Sequence, residues 1–171
     1  MPLKIVICGP KGSGKSMIGN FLSGQSAALP TPDLGKYSPT AGVRIMEFES
    51  ASGNVELWDA SGDHTFENCW GAIMNEADGV LLIYNPDAAG QDQQLADWYE
   101  HFVRRNGLRD EQCLIFAHRQ NVVNSGERFR PPPLFQRISA ALTTTQSGDD
   151  MKNMFANLLS QASAGAGGRR K

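Results

Sequence analysis

A three-layer α/β fold, with a mostly parallel six-stranded sheet and helices on both faces, is what the sequence predicts. Three observations carry that expectation. Residues 3–8 form an apolar run that enters the octet Gly9-Pro10-Lys11-Gly12-Ser13-Gly14-Lys15-Ser16, and a helical face of Met17, Ile18, Phe21 and Leu22 follows it. Residues 79–85 and 112–117 are continuous apolar runs, the mark of strands covered on both sides. Between them Leu95, Trp98, Tyr99, Phe102 and Val103 recur at helical spacing, which gives an amphipathic helix. Strands that alternate with helices call for parallel pairing and covered faces.

The octet fits GxxxxGK[ST] in the context that motif needs, between a strand and a helix start. Its glycines let the backbone curl so that successive N–H groups form an anion nest. The positive end of the helix dipole falls at the same spot. Lys15 is expected to reach outer phosphates and Ser16 to offer its hydroxyl to Mg²⁺. Residues 25–42 are polar, rich in Ser, Pro and Gly, and carry no period. A long connection beside a phosphate site is expected to be functional. Residues 43–49 alternate, Ser52-Gly53-Asn54 signals a turn, and residues 55–59 form the next strand, so the two pair as a hairpin at the sheet edge. Phe66, Trp70, Ile73 and Met74 then make a helical face. Residues 119–133 are polar and end in three prolines, so the helix usual in such a crossover is reduced or absent. Residues 137–142 form the last strand. Asp149 and Asp150 open a final helix with buried face Met151, Met154, Phe155, Leu158 and Leu159. The domain is expected to cover 1–162, with a disordered tail at 163–171.

Composition narrows the function. The chain has 171 residues, 40% hydrophobic and 20% charged, as a globular domain does. Net charge is −2 with no basic stripe, which gives no support to nucleic-acid binding. No run is long enough to span a membrane, Pro2 excludes N-myristoylation, and no cysteine near the end offers a prenylation site. No direct membrane anchor is expected. Cys8, Cys69 and Cys113 all lie in apolar stretches and read as buried reduced thiols. No Cys/His spacing fits a zinc site. His64 and His101 read as surface side chains.

The octet alone also fits nucleotide kinases, but those need an Arg-bearing lid that the sequence lacks. Trp58-Asp59-Ala60-Ser61-Gly62 at the end of the hairpin separates the two classes. Asp59 can hold Mg²⁺ through water, the Gly62 N–H can sense a γ-phosphate, and Thr40 on the long loop offers a second hydroxyl to the metal. Together the phosphate loop, Thr40 and Asp-x-x-Gly resemble small GTPases of the Ras and Rab kind. The resemblance is more specific still. Tyr37-Ser38-Pro39-Thr40-Ala41-Gly42-Val43-Arg44-Ile45-Met46-Glu47-Phe48-Glu49 is similar to the Rab-like small GTPase subunits of intraflagellar transport complex B. Glu56-Leu57-Trp58-Asp59, Gly62-Asp63, Phe66-Glu67-Asn68-Cys69-Trp70, Trp98-Tyr99, Phe102-Val103, Ala117-His118 and Pro132-Pro133-Leu134 are similar as well. The resemblance implies a Ras-like G domain that binds GTP or GDP with Mg²⁺. It also implies docking onto coiled-coil subunits of the complex, and work in the cytoplasm and the cilium or flagellum. It puts nucleotide on Gly9, Lys11, Gly12, Ser13, Gly14, Lys15, Ser16, Met17, Gly62, His118, Arg119, Asn121 and Thr143. Metal falls on Ser16, Thr40 and Asp59.

Three positions depart from a working switch of that superfamily. Lys11 stands where glycine is usual; its long cationic side chain would either crowd the γ-phosphate and the attacking water or neutralise phosphate charge. Asp63 stands where a glutamine orients the attacking water; a carboxylate has no donor to offer and is repelled by phosphate. Asn-Lys-x-Asp is replaced by His118-Arg119-Gln120-Asn121. Asn121 mismatches one guanine donor, which predicts a loss of about tenfold or more in guanine preference. The Arg119 stem can still cover the base. His118 reads either as a base contact or as a strand cap. The last base-contacting loop, around Thr143, lacks a clear Ser-Ala-Lys. The expectations are micromolar affinity, a base readout loose enough to admit ATP, and hydrolysis no faster than that of slow Ras-like proteins. The leading reading is a nucleotide-binding interaction subunit. The rivals are a true switch GTPase that relies on an external activator, and a P-loop kinase.

Overall fold

A computed structural model describes residues 1–29, 38–120 and 129–169. The elements run β1 (Leu3–Cys8), α1 (Lys15–Leu22), β2 (Val43–Ser50), β3 (Gly53–Ala60), α2 (Glu67–Met74), β4 (Gly79–Tyr84), α3 (Gln91–Phe102), β5 (Cys113–His118), β6 (Ser139–Thr143) and α4 (Gly148–Arg169). The sheet order is β2-β3-β1-β4-β5-β6, with every pairing parallel except the β2–β3 hairpin at one edge. The α/β order and the antiparallel edge strand agree with the sequence reading.

The continuous apolar runs form the middle of the sheet because they supply core on both faces. Val6 and Cys8 of β1, Val80, Leu82 and Tyr84 of β4, and Ile115 and Ala117 of β5 face one side, with α2 and α3. Ile5 and Ile7, Leu81 and Ile83, and Leu114 and Phe116 face the other, with α1 and α4. The period-2 alternation thus sends successive apolar side chains into two separate cores. The edge strand β2 buries Met46 but leaves Val43 and Ile45 exposed.

Between β5 and β6 the described residues hold only a short 3-10 turn, Pro133–Phe135, whose Phe135 is buried against Tyr99. Two expectations need correction. Cys69 is exposed, because it lies on the solvent side of α2 while Trp70, Ile73 and Met74 take the core side; Cys8 and Cys113 are buried. Residues 163–169, expected as a tail, continue α4, with Ala162 and Ala166 buried. Their Ala/Gly content reads as low complexity, yet small residues are what a close helix contact accepts.

Candidate nucleotide-binding site

The octet links the C-terminal end of β1 to α1, where a parallel sheet opens its binding crevice. Two glycines are fixed by their surroundings. Gly9 has φ 142°, and a Cβ there would overlap the Ile83 carbonyl. Gly14 caps α1 in the left-handed region with φ 94°, and the His118 ring lies 3.3 Å from where its Cβ would be. The Lys15 ammonium is buried and donates to the Pro10 carbonyl at 2.7 Å. Burial lowers its pKa to about 8, with Asp59 and Cys8 opposing the shift. The Ser13 hydroxyl is buried with no partner. The Met17 side chain packs back on the core. Lys11 is exposed.

Three groups meet at the start of α1. The Ser16 hydroxyl donates to Asp59 Oδ2 at 2.6 Å, lies 2.8 Å from Thr40 Oγ1, and Thr40 Oγ1 is 3.4 Å from the same carboxylate oxygen. Asp59 is fully buried, and its Oδ1 has no hydrogen-bond partner. Burial pushes its carboxyl up, and bonds from Ser16, the charges of Lys15 and Arg44, and Thr40 pull against that. Two hydroxyls and a carboxylate with an unused oxygen are a hard donor set that fits Mg²⁺. Gly62 closes the opposite side. A Cβ on it would strike the Lys11 amide, the Gly9 carbonyl and the Lys15 ammonium, so only glycine permits so close an approach. Asp63 accepts from the Thr65 amide and hydroxyl at 3.0 and 2.9 Å through Oδ1, and its Oδ2 lies 3.7 Å from Lys11 Nζ.

The base end is less orthodox. His118 is fully buried, its Nδ1 is 3.0 Å from Thr143 Oγ1, and its Nε2 has no partner. Burial lowers its pKa to about 4. Arg119 Nε pairs with Asp87 at 3.1 Å. Asn121 lies outside the described residues. Sequence reasoning missed two side chains here. Gln120 donates to the Gly12 carbonyl at 2.9 Å. Gln91 donates to the Lys11 carbonyl at 3.2 Å while it accepts from the Asn85 amide at 2.7 Å. A third, Arg44, reaches both Asp59 Oδ2 and the Ser16 carbonyl. Gln120 and Arg44 lie inside stretches the sequence singled out, but spacing gave neither side chain a role, and Gln91 lies in no motif.

Comparison with known proteins identifies the family and the fold. The family profile described as "Ras of Complex, Roc, domain of DAPkinase" matches residues 4–121. The chain is 37% identical over 163 residues to intraflagellar transport protein 22 homolog of Xenopus tropicalis, covering 91% of this chain and 85% of that one. It is 41% identical over 125 residues to the Danio rerio homolog, covering 68% of this chain and 65% of the relative's length. The GTP-bound crystal structure of T. brucei IFT22/74/81 superimposes with a TM-score of 0.78 at 32% identity, covering 95% of each chain. GDP-bound T. brucei IFT22 superimposes with a TM-score of 0.75 at 30% identity, over 96% of this chain and 97% of that one.

Proposed function

The chain belongs to the intraflagellar transport protein 22 family of Ras-like GTPase domains, and on that premise we propose that it is a guanine-nucleotide-binding interaction subunit of intraflagellar transport complex B. The observation that carries the nucleotide half is the convergence of Ser16, Thr40 and Asp59 at the mouth of a glycine loop. The loop amides and Lys15 hold the phosphates. Ser16, Thr40 and Asp59 would hold Mg²⁺, which would supply positive charge against the phosphates. The partner half rests on the relative crystallised in T. brucei IFT22/74/81, whose other two chains are the model for the coiled-coil subunits this chain docks onto. The cilium or flagellum is the site of that work, with the cytoplasm as the pool from which the complex assembles.

Hydrolysis is slow in this reading. Asp63 spends one carboxylate oxygen on Thr65 and turns the other to Lys11, so neither places a water. Two of the three departures from a working switch, Lys11 and Asp63, face each other across the loop. Because both are exposed, their pair holds weakly and acts by occupying space and charge.

Two measurements test the proposal. Purified protein is expected to bind mant-GTP and mant-GDP in Mg²⁺, and to capture the coiled-coil pair equally in either state. A nucleotide with equal affinity for two conformations shifts neither. Capture in the GTP state alone would favour a switch. Single-turnover hydrolysis is expected at or below the roughly 4 × 10⁻⁴ s⁻¹ of a slow Ras-like protein. The double change Lys11→Gly and Asp63→Gln is expected to raise it, and a wild-type rate well above that figure would overturn the slow-hydrolysis claim.

A further inference from the structure

The β2–β3 register sets Arg44 directly opposite Asp59. Its Nη2 donates to Asp59 Oδ2 at 3.4 Å and to the Ser16 carbonyl at 3.3 Å. One guanidinium nitrogen therefore joins the first turn of α1 to the buried carboxylate at the end of β3. Those are the two elements that carry Ser16 and Asp59, the residues that would hold a divalent ion here. Arg44 Nε is buried without a partner, so part of the guanidinium has left water to make this contact. The Thr40 hydroxyl, from the loop ahead of β2, completes the cluster at the same oxygen.

We propose that Arg44 is a built-in counter-ion for Asp59, holding Ser16, Thr40 and Asp59 together without the divalent ion, so that nucleotide retention depends only weakly on Mg²⁺. The inference rests on the guanine-nucleotide reading above. It follows from charge. A buried carboxylate beside polyphosphate, supported by hydroxyls alone, leaves the cation as the main local positive charge apart from Lys15. With Arg44 in place, one positive charge stays when Mg²⁺ leaves, and the same charge opposes Mg²⁺ when it arrives.

The test uses the whole chain loaded with mant-GDP and chased with excess GDP, with and without EDTA. For wild type, chelation is expected to speed release by less than about tenfold. In Arg44→Gln the EDTA effect is expected to grow by about tenfold, the scale of one hydrogen bond to a charged group, while Mg²⁺ titration shows tighter ion binding. Arg44→Lys, which keeps the charge, is expected to stay close to wild type. An EDTA effect equal in wild type and Arg44→Gln overturns the proposal. Should Arg44→Gln fail to fold by circular dichroism, wild type decides alone: acceleration above about a hundredfold on chelation overturns it. Absence of mant-GDP binding by wild type in Mg²⁺ overturns the nucleotide reading instead.

Discussion

His118 takes the place of an asparagine and shows how one residue can serve structure at a binding site. Its ring lies under the left-handed Gly14 cap and against Thr143, so it joins the phosphate loop to the end of β6. The ring is fully buried, and burial disfavours its charged form and lowers the pKa to about 4. In the unfolded chain the same ring titrates near 6.5. Between those values the unfolded state binds more protons than the folded state, so stability falls as pH drops from 6.5 towards 4. Replacing His118 with Gln removes this term and leaves the carboxylates unchanged. Urea unfolding of both proteins at pH 7 and pH 4.5 is therefore expected to show wild type losing about 2–3 kcal/mol relative to His118→Gln on acidification. Equal losses would mean that the ring is solvated. The sequence left this histidine between base contact and strand cap, because one residue in a departed motif does not reveal which way its ring faces.

At the scale of elements, the phosphate loop is held by side chains that come from far along the chain. Gln91, on the first turn of α3, spans 80 positions to the Lys11 carbonyl, and Gln120, just past β5, spans 108 to the Gly12 carbonyl. The loop itself was legible, since eight adjacent residues of fixed type define it and an apolar strand precedes it. Its braces were not, since an amide side chain has no spacing signature and only the folded sheet brings these elements together. Gln91 also satisfies the Asn85 amide at the end of β4. Each brace is a single neutral bond, worth about 0.5–1.5 kcal/mol. Stopped-flow release of mant-GDP is expected to quicken about two- to tenfold in Gln91→Ala and in Gln120→Ala. Both braces act on neighbouring carbonyls of one loop, so the double variant is expected to fall short of the product of the singles. Release unchanged in both variants would show that the loop keeps its shape without them.

Across the whole molecule, what the sequence made plain was whatever period and run length encode: two apolar faces per central strand, the hairpin edge, and the helix carrying Trp98 and Phe102. What it hid was a contact that depends on the absence of side chains. Residues 163–169 read as a tail because glycines carry a helix penalty of about 1 kcal/mol each and no apolar stripe marks the segment. In the fold α4 continues through them and lies over the start of β5. A Cβ on Gly165 would sit 2.9 Å from Gln112 Nε2 and 3.2 Å from Arg109 Nη2, so glycine lets the helix close on that pair. Gln112 in turn is buried and donates to the Asp78 carbonyl at 2.8 Å, which ties the entry of β5 to the entry of β4. Ala166, the next residue of α4, is buried as well. Ending the chain at residue 162 therefore removes the buried Ala166 methyl and uncovers Gln112, at a cost of about 1 kcal/mol for the lost burial and the weakened amide bond. Urea unfolding of the full chain and of the shortened one is expected to show that loss as a lower midpoint, with nucleotide affinity unchanged because the site lies at the opposite ends of the strands. A disordered tail would leave the midpoint where it was.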